Sequence, residues 1–129
     1  MSSPIQISSL GQVSLLCRDV ARAEAFYRDT LRLPHLFTFG DLAFFQAGQT
    51  RLFLRAVTDN EWLPGSILYL VVPDIRAAHE VLVAADVTVQ GAPHRIHTHD
   101  DGTEEWMTFF EDPDGNTLAF MASASPAPA

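Results

Sequence analysis

The chain is poor in cysteine, in positive charge and in long apolar runs, and each shortage closes off a class of function. Its single cysteine, Cys17, has no partner for an internal disulfide. It sits in the apolar run Val13-Ser14-Leu15-Leu16-Cys17, where an inert buried thiol is to be expected over a nucleophile. Eight Lys and Arg stand against sixteen Asp and Glu, a formal charge of -8 at pH 7. That balance argues against nucleic acid, whose phosphates are held by a basic face. No apolar run is long enough to span a bilayer, and Met1-Ser2-Ser3-Pro4 has neither the basic region nor the hydrophobic core of a leader. The expectation is therefore no membrane and a cytoplasmic location. A glycine-rich phosphate loop is also missing, and no serine has an identifiable His/Asp neighbour to make it a nucleophile.

What is present is an ordinary globular composition. Over 129 residues, 47% are hydrophobic and 19% charged, enough for one domain or for two small modules around a shared core. The chain is organised around its last hairpin. Apolar runs flank Asp112-Pro113-Asp114-Gly115-Asn116, a knot of residues that supply turn dihedrals and local hydrogen bonds. Pro113 fixes its own φ, and Gly115 and Asn116 are the positions that most cheaply take φ > 0.

In chain order, residues 12–17 read as a strand, and Asp19 as the N-cap of a helix whose apolar stripe is Val20, Ala23, Phe26, Tyr27 and Leu31. Pro34 ends that region. Strands follow at 36–39, 42–45 and 51–55, separated by turns at Gly40-Asp41 and Ala47-Gly48-Gln49. Residues 57–65 form a polar connector closing on Pro64-Gly65. The pattern then restarts: a strand at 67–72, Asp74 as cap, and a stripe of Ile75, Ala78, Leu82 and Ala85. A short strand at 87–89, a polar histidine-bearing loop at 94–102 and strands at 106–110 and 117–121 complete it. Residues 1–9 are a lead-in, 10–122 the domain, with modules 10–57 and 66–122, and 123–129 a flexible Ser/Ala/Pro tail. Asp19-Val20 matches Asp74-Ile75, and Ala43-Phe44-Phe45 matches Thr108-Phe109-Phe110, so the order strand, cap, helix, three strands occurs twice.

Three features together, the internal repeat, the Asp112–Asn116 turn and Asp19-Val20 leading into Ala25-Phe26-Tyr27-Arg28-Asp29, resemble the vicinal oxygen chelate superfamily. That group includes glyoxalase I, bleomycin-resistance proteins, extradiol dioxygenases and methylmalonyl-CoA epimerase, and the resemblance covers about residues 10–122. It implies an α+β fold of two tandem βαβββ modules forming a cup-shaped curved sheet, assembled as a homodimer. The need to cover sheet edges points the same way.

Metal-using members place one ligand near the start of the first strand and one on the last strand of each module. Carried over, these positions fall on Gln12, Phe53, Ile67 and Ala119. Only Gln12 has a donor atom, and one neutral amide does not offset the dehydration of a divalent cation. The resemblance therefore stops short of the usual metal site, and no cofactor is expected. An unusual site would have to use His97 and His99 with Asp100, Asp101 or Glu104, although a solvated loop explains the same residues. His94, after Ala92-Pro93, is placed as a wall residue of the cup; His35 and His79 have no assigned role.

The remaining surface suits an organic ligand. Gln12 and Ser14 share one strand face, Arg51 and Phe53 another, and Ile67 and Tyr69 a third; Trp106 and Thr108 would join from the seventh strand and Ala119 from the last. Arg51 could meet a carboxylate or phosphate. Against this, Phe53 and Trp106 could simply fill the core and Arg51 lie at the surface. The leading expectation is a metal-independent small-molecule-binding protein of the bleomycin-resistance type, taking an aromatic or amphipathic ligand in the cup. The alternatives are a lyase, isomerase or dioxygenase-like enzyme with a metal held by Gln12, His94, His97 or His99, and a purely structural role.

Overall fold

The computed structural model describes residues 4–124 of the chain. It divides into two compact units, residues 1–62 and 63–129, built to one plan. The first contains β1 (Gln12–Cys17), α1 (Val20–Ala25), β2 (His35–Phe39), β3 (Leu42–Ala47) and β4 (Thr50–Ala56). A π-helical turn, Phe26–Thr30, extends α1. The second contains β5 (Leu68–Val71), α2 (Ile75–Ala84), β6 (His94–Thr98), β7 (Glu104–Glu111) and β8 (Thr117–Ala124). Each unit is a four-stranded sheet, in the orders β1-β4-β3-β2 and β5-β8-β7-β6. The first strand of each pairs parallel with the last, and the other pairings are antiparallel. The fold is α+β, two tandem βαβββ modules, as the repeat predicts.

Both helices start for the same reason. Asp19 and Asp74 take nearly identical extended conformations (φ -139, ψ 109 and φ -136, ψ 101). Each accepts, through Oδ1, a hydrogen bond at 3.1 Å from an otherwise orphaned amide, that of Arg22 or Ala77. Each helix then covers one face of its own sheet. Under α1 lie Leu15, Cys17, Ala43, Phe45, Leu52 and Leu54, all buried, with Tyr27 fully enclosed against Phe45. Under α2 lie Thr108, Phe110, Leu118, Phe120 and Ala122 with Ile75 and Leu82. Burying each such Leu or Phe stabilises by about 2 kcal/mol. The opposite face of each sheet is left without a helix.

Three boundaries differ from expectation. Residues 87–89 make only an isolated bridge, Val89 to Phe110, instead of a strand; the Gly91-Ala92-Pro93 break follows too soon for a ladder to extend. The sixth strand is instead His94–Thr98, inside the stretch expected to be a loop. Its polar sequence hid it: it is an edge strand exposed along its whole length, so no apolar alternation is required of it. The histidine loop accordingly shrinks to residues 99–103. At the other end, β8 runs to Ala124, so Ser123 and Ala124 are strand, opposite Glu105 and Glu104. The rest of the expected tail and residues 1–3 lie outside the described residues.

The organising hairpin is held by one carboxylate. Asp112 Oδ1 accepts from the amides of Asp114 and Asn116, both at 2.9 Å, and Oδ2 accepts from Asn116 Nδ2 at 2.8 Å. Gly115 takes the positive φ (95°) that the turn needs; Asn116 does not take one. Asp112, Asp114 and Asn116 are all buried, so this turn is an internal hydrogen-bonded plug.

Candidate ligand-binding face

The helix-free face of the first sheet carries the polar and aromatic residues that alternate with the core. On β1 these are Gln12, Ser14 and Leu16, and on β4 Arg51, Phe53 and Arg55. The register sets them in rows. Gln12 lies opposite Arg51, which lies opposite Gln46; Ser14 lies opposite Phe53, then Phe44, then Phe37. The second row is a ladder of rings across three strands. Phe37 and Phe44 centroids are 4.4 Å apart at 25°, Phe44 and Phe53 5.2 Å apart at 28°. The Arg51 guanidinium lies 5.4 Å from the Phe44 ring centre, within cation–π range. Gln46 is turned back, its Nε2 donating to the Gly48 carbonyl at 2.7 Å. Gln12, Ser14, Arg51 and Phe53 are thus brought together on one face.

In the second unit, Tyr69, Ala119 and Phe109 form one row of the helix-free face, and Val71, Met121, Met107 and His94 the next. Tyr69 meets Phe109 edge to face at 6.0 Å, and the His94 ring lies 6.2 Å from Phe109. Ala119 is fully buried and forms the floor between them. Ile67 lies one residue before β5 and is exposed.

Trp106 and Thr108 lie on the other face of the second sheet. Paired with Ala122 and Phe120, they face α2, away from Tyr69, Ala119 and His94. The Arg76 guanidinium lies 5.1 Å from the Trp106 ring, whose Nε1 donates to Glu104 Oε1 at 3.2 Å. Arg76, Glu104 and Trp106 line a cavity of about 390 Å³ with Pro73, Ile75 and Ala122. Thr108 Oγ1 donates to the Gly91 carbonyl at 3.2 Å. Met107, between them in sequence, and Phe109, which follows Thr108, occupy the face of β7 on which Trp106 was expected. Phe37, Phe44, Phe109 and Met107 are face residues that the sequence reading did not single out; the signal for Phe44 was its place two residues from Leu42 and Gln46 on an alternating strand.

The carry-over of metal positions is consistent between modules. Phe53 lies opposite Ser14, two residues beyond Gln12, and Ala119 opposite Tyr69, two residues beyond Ile67. At these four positions only Gln12 offers a donor atom, so the donor set does not fit a divalent cation. Elsewhere, the His97 and His99 rings meet edge to face at 4.7 Å, and His99 Nε2 lies 2.8 Å from Glu105 Oε2. Among the described residues, no group of three or more His, Cys, Asp or Glu is placed to hold a metal ion. Glu104 is held below its ordinary carboxylate range first by the Arg95 guanidinium and then by the Trp106 indole. Asp101 is lowered by the Thr103 amide and hydroxyl.

No curated protein matches the chain significantly. Solved structures of similar fold include a lactoylglutathione lyase from Agrobacterium tumefaciens, 23% identical, TM-score 0.69, covering 91% of this chain and 95% of that one. A superfamily member from Sphaerobacter thermophilus DSM 20745 is also 23% identical, TM-score 0.70, over 90% and 98%. Another from Alicyclobacillus acidocaldarius is 14% identical, TM-score 0.69, over 88% and 90%. At these identities the likeness is one of fold. The family model described as Glyoxalase/Bleomycin resistance protein/Dioxygenase superfamily matches residues 9–120. That span takes in both βαβββ modules up to the first half of β8, and the chain belongs to the glyoxalase/bleomycin resistance protein/dioxygenase superfamily.

Proposed function

We propose that this chain is a metal-independent small-molecule-binding protein of the bleomycin-resistance type, holding an aromatic or amphipathic ligand against the helix-free face of its first sheet. The observation that supports this most directly is the ladder Phe37–Phe44–Phe53, three near-parallel rings bordered by Gln12 and Arg51. Phe37 is exposed and Phe44 and Phe53 are half-buried, so their faces are not spent on the core beneath α1. Stacking surface with a few polar groups beside it is what an organic ligand needs for affinity and orientation. Tyr69, Phe109 and His94 supply a second, smaller apolar patch on the other sheet.

The test is calorimetric titration of the purified chain with a panel of aromatic and amphipathic compounds. Binding that Phe53→Ala weakens about tenfold, with the melting curve retained, is the expected result, since stacking and buried ring area are worth one to a few kcal/mol. A panel that yields no ligand removes the proposal. Metal analysis separates it from a metalloenzyme: stoichiometric zinc, nickel, iron or manganese, lost on His97→Ala or His99→Ala, would replace it with the enzyme reading. A homodimer belongs to the proposal, since each four-stranded sheet leaves two edge strands to cover; sedimentation equilibrium checks it.

A further inference from the structure

The ring ladder stops one rung short of the sheet edge. Phe37, Phe44 and Phe53 occupy β2, β3 and β4, and the next position in the row, on the edge strand β1, is Ser14. Ser14 is small and exposed. Strands repeat at about 4.8 Å, which matches the 4.4 and 5.2 Å ring spacings. A flat ring set over Ser14 would therefore stack on Phe53 at the ladder's own interval. Two residues back along both strands, on the same face, lie Gln12 and Arg51. All eight basic residues of the chain are arginines. Those at 18, 28 and 95 have carboxylate partners in Asp59, Glu24 and Glu104. Arg51 is half-buried, is packed on a ring, and makes no ion pair among the described residues. A partly desolvated guanidinium without an anion is costly, and its planar fork of N–H donors matches a carboxylate.

Resting on the binding reading above, we propose that the ligand is a planar aromatic acid. Its ring forms the fourth rung of the ladder over Ser14, and its anionic group is held by Arg51 with Gln12 alongside. Ser14 is then the residue that decides whether a ring fits, and Arg51 the one that decides its charge.

The probes are 2-naphthoate and 2-naphthamide, equal in ring and different in charge, titrated calorimetrically against the full chain. Naphthoate is expected to bind about tenfold more tightly, the scale of a charge-assisted hydrogen bond. Ser14→Phe, which fills the rung from within at an exposed position, should weaken both compounds about tenfold with an unchanged melting curve. Arg51→Met, keeping the stem over Phe44, should make the two compounds equal. If either variant does not fold, Ser14→Leu and Arg51→Lys serve instead: the first should block both compounds, the second should lose part of the preference for the acid. Equal binding of acid and amide to the unaltered chain, or undiminished binding to folded Ser14→Phe, overturns the proposal, while loss on Phe53→Ala would leave the broader reading standing. Failure of every aromatic compound to bind removes both.

Discussion

The two units run through the same elements in the same order, yet they differ on the face that no helix covers. In the first, each ring of the three lies within 28° of parallel to its neighbour. In the second, Tyr69 and Phe109 meet at 82°, and Met107 and Met121 fill the next row. The helix-covered faces are alike: buried Leu and Phe from the last two strands, under a helix started by an extended Asp. The topology is thus carried by the cap and by one residue in two along each strand. The other residue in two is free of that constraint. A stacked ladder favours a flat partner, whereas edge-to-face rings and flexible thioethers adapt to irregular shapes.

The closing hairpins differ as much as the faces, and this gives the largest expected effect. In the first unit β3 and β4 are joined across Gly48 and Gln49, with Ala47 opposite Thr50 and Gly48 at φ 61°. In the second, five residues are held by buried Asp112. Asp112→Ala strands two buried amides and the Asn116 side chain and should cost about 3 kcal/mol in denaturant unfolding. Gly48→Ala meets no atom within 4 Å of the added carbon, so only its backbone conformation opposes it, at about 1 kcal/mol. Equal costs would mean that the plug around Asp112 is not what holds the second hairpin.

Binding sharpens the contrast between the faces. Phe44→Ala removes the middle rung, which touches both neighbours and the Arg51 guanidinium. It should weaken an aromatic ligand by about tenfold. Phe109→Ala should change the affinity of the same ligand by less than about twofold. The order reversed, measured by calorimetry on folded variants, would move the binding face to the second unit.

How far these features were legible before the fold was known depends on which face a residue serves. Asp19, Asp74 and the apolar stripes after them announce both helices, because capping and burial each constrain residue type. The face of Gln12, Ser14, Arg51 and Phe53 follows from strict alternation on β1 and β4. On β7, alternation says nothing: Trp106, Thr108 and Phe110 face the helix, and Met107 and Phe109 face away, so both faces are apolar and parity is undetermined. Phe37 was hidden by a register shift between His35 and Phe37, which breaks the period of two that would have aligned it with Phe44. β6 was hidden by being polar at every position but Ile96, and only its pairing with β7 reveals it.

The smallest expected effects come from two carboxylates, one per unit, that titrate low for different reasons. Glu24 is lowered first by the Thr38 hydroxyl, then by His35 and Arg28; Glu104 is lowered first by Arg95. A folded-state pKa below the ordinary 4.5 means that the stabilisation is complete above that value and is lost as pH falls through the lower, folded one. Glu24→Gln and Glu104→Gln should each flatten the acid limb of the stability profile below about pH 4.5 and leave the neutral region nearly unchanged. Raising the salt should erase the Glu104 effect first, because a solvent-exposed guanidinium–carboxylate pair is screened while the hydroxyl bond to Glu24 is short-ranged. Thermal melts across pH at low and high salt read the difference directly, and an identical salt response at the two sites would show that both effects come from general charge alone.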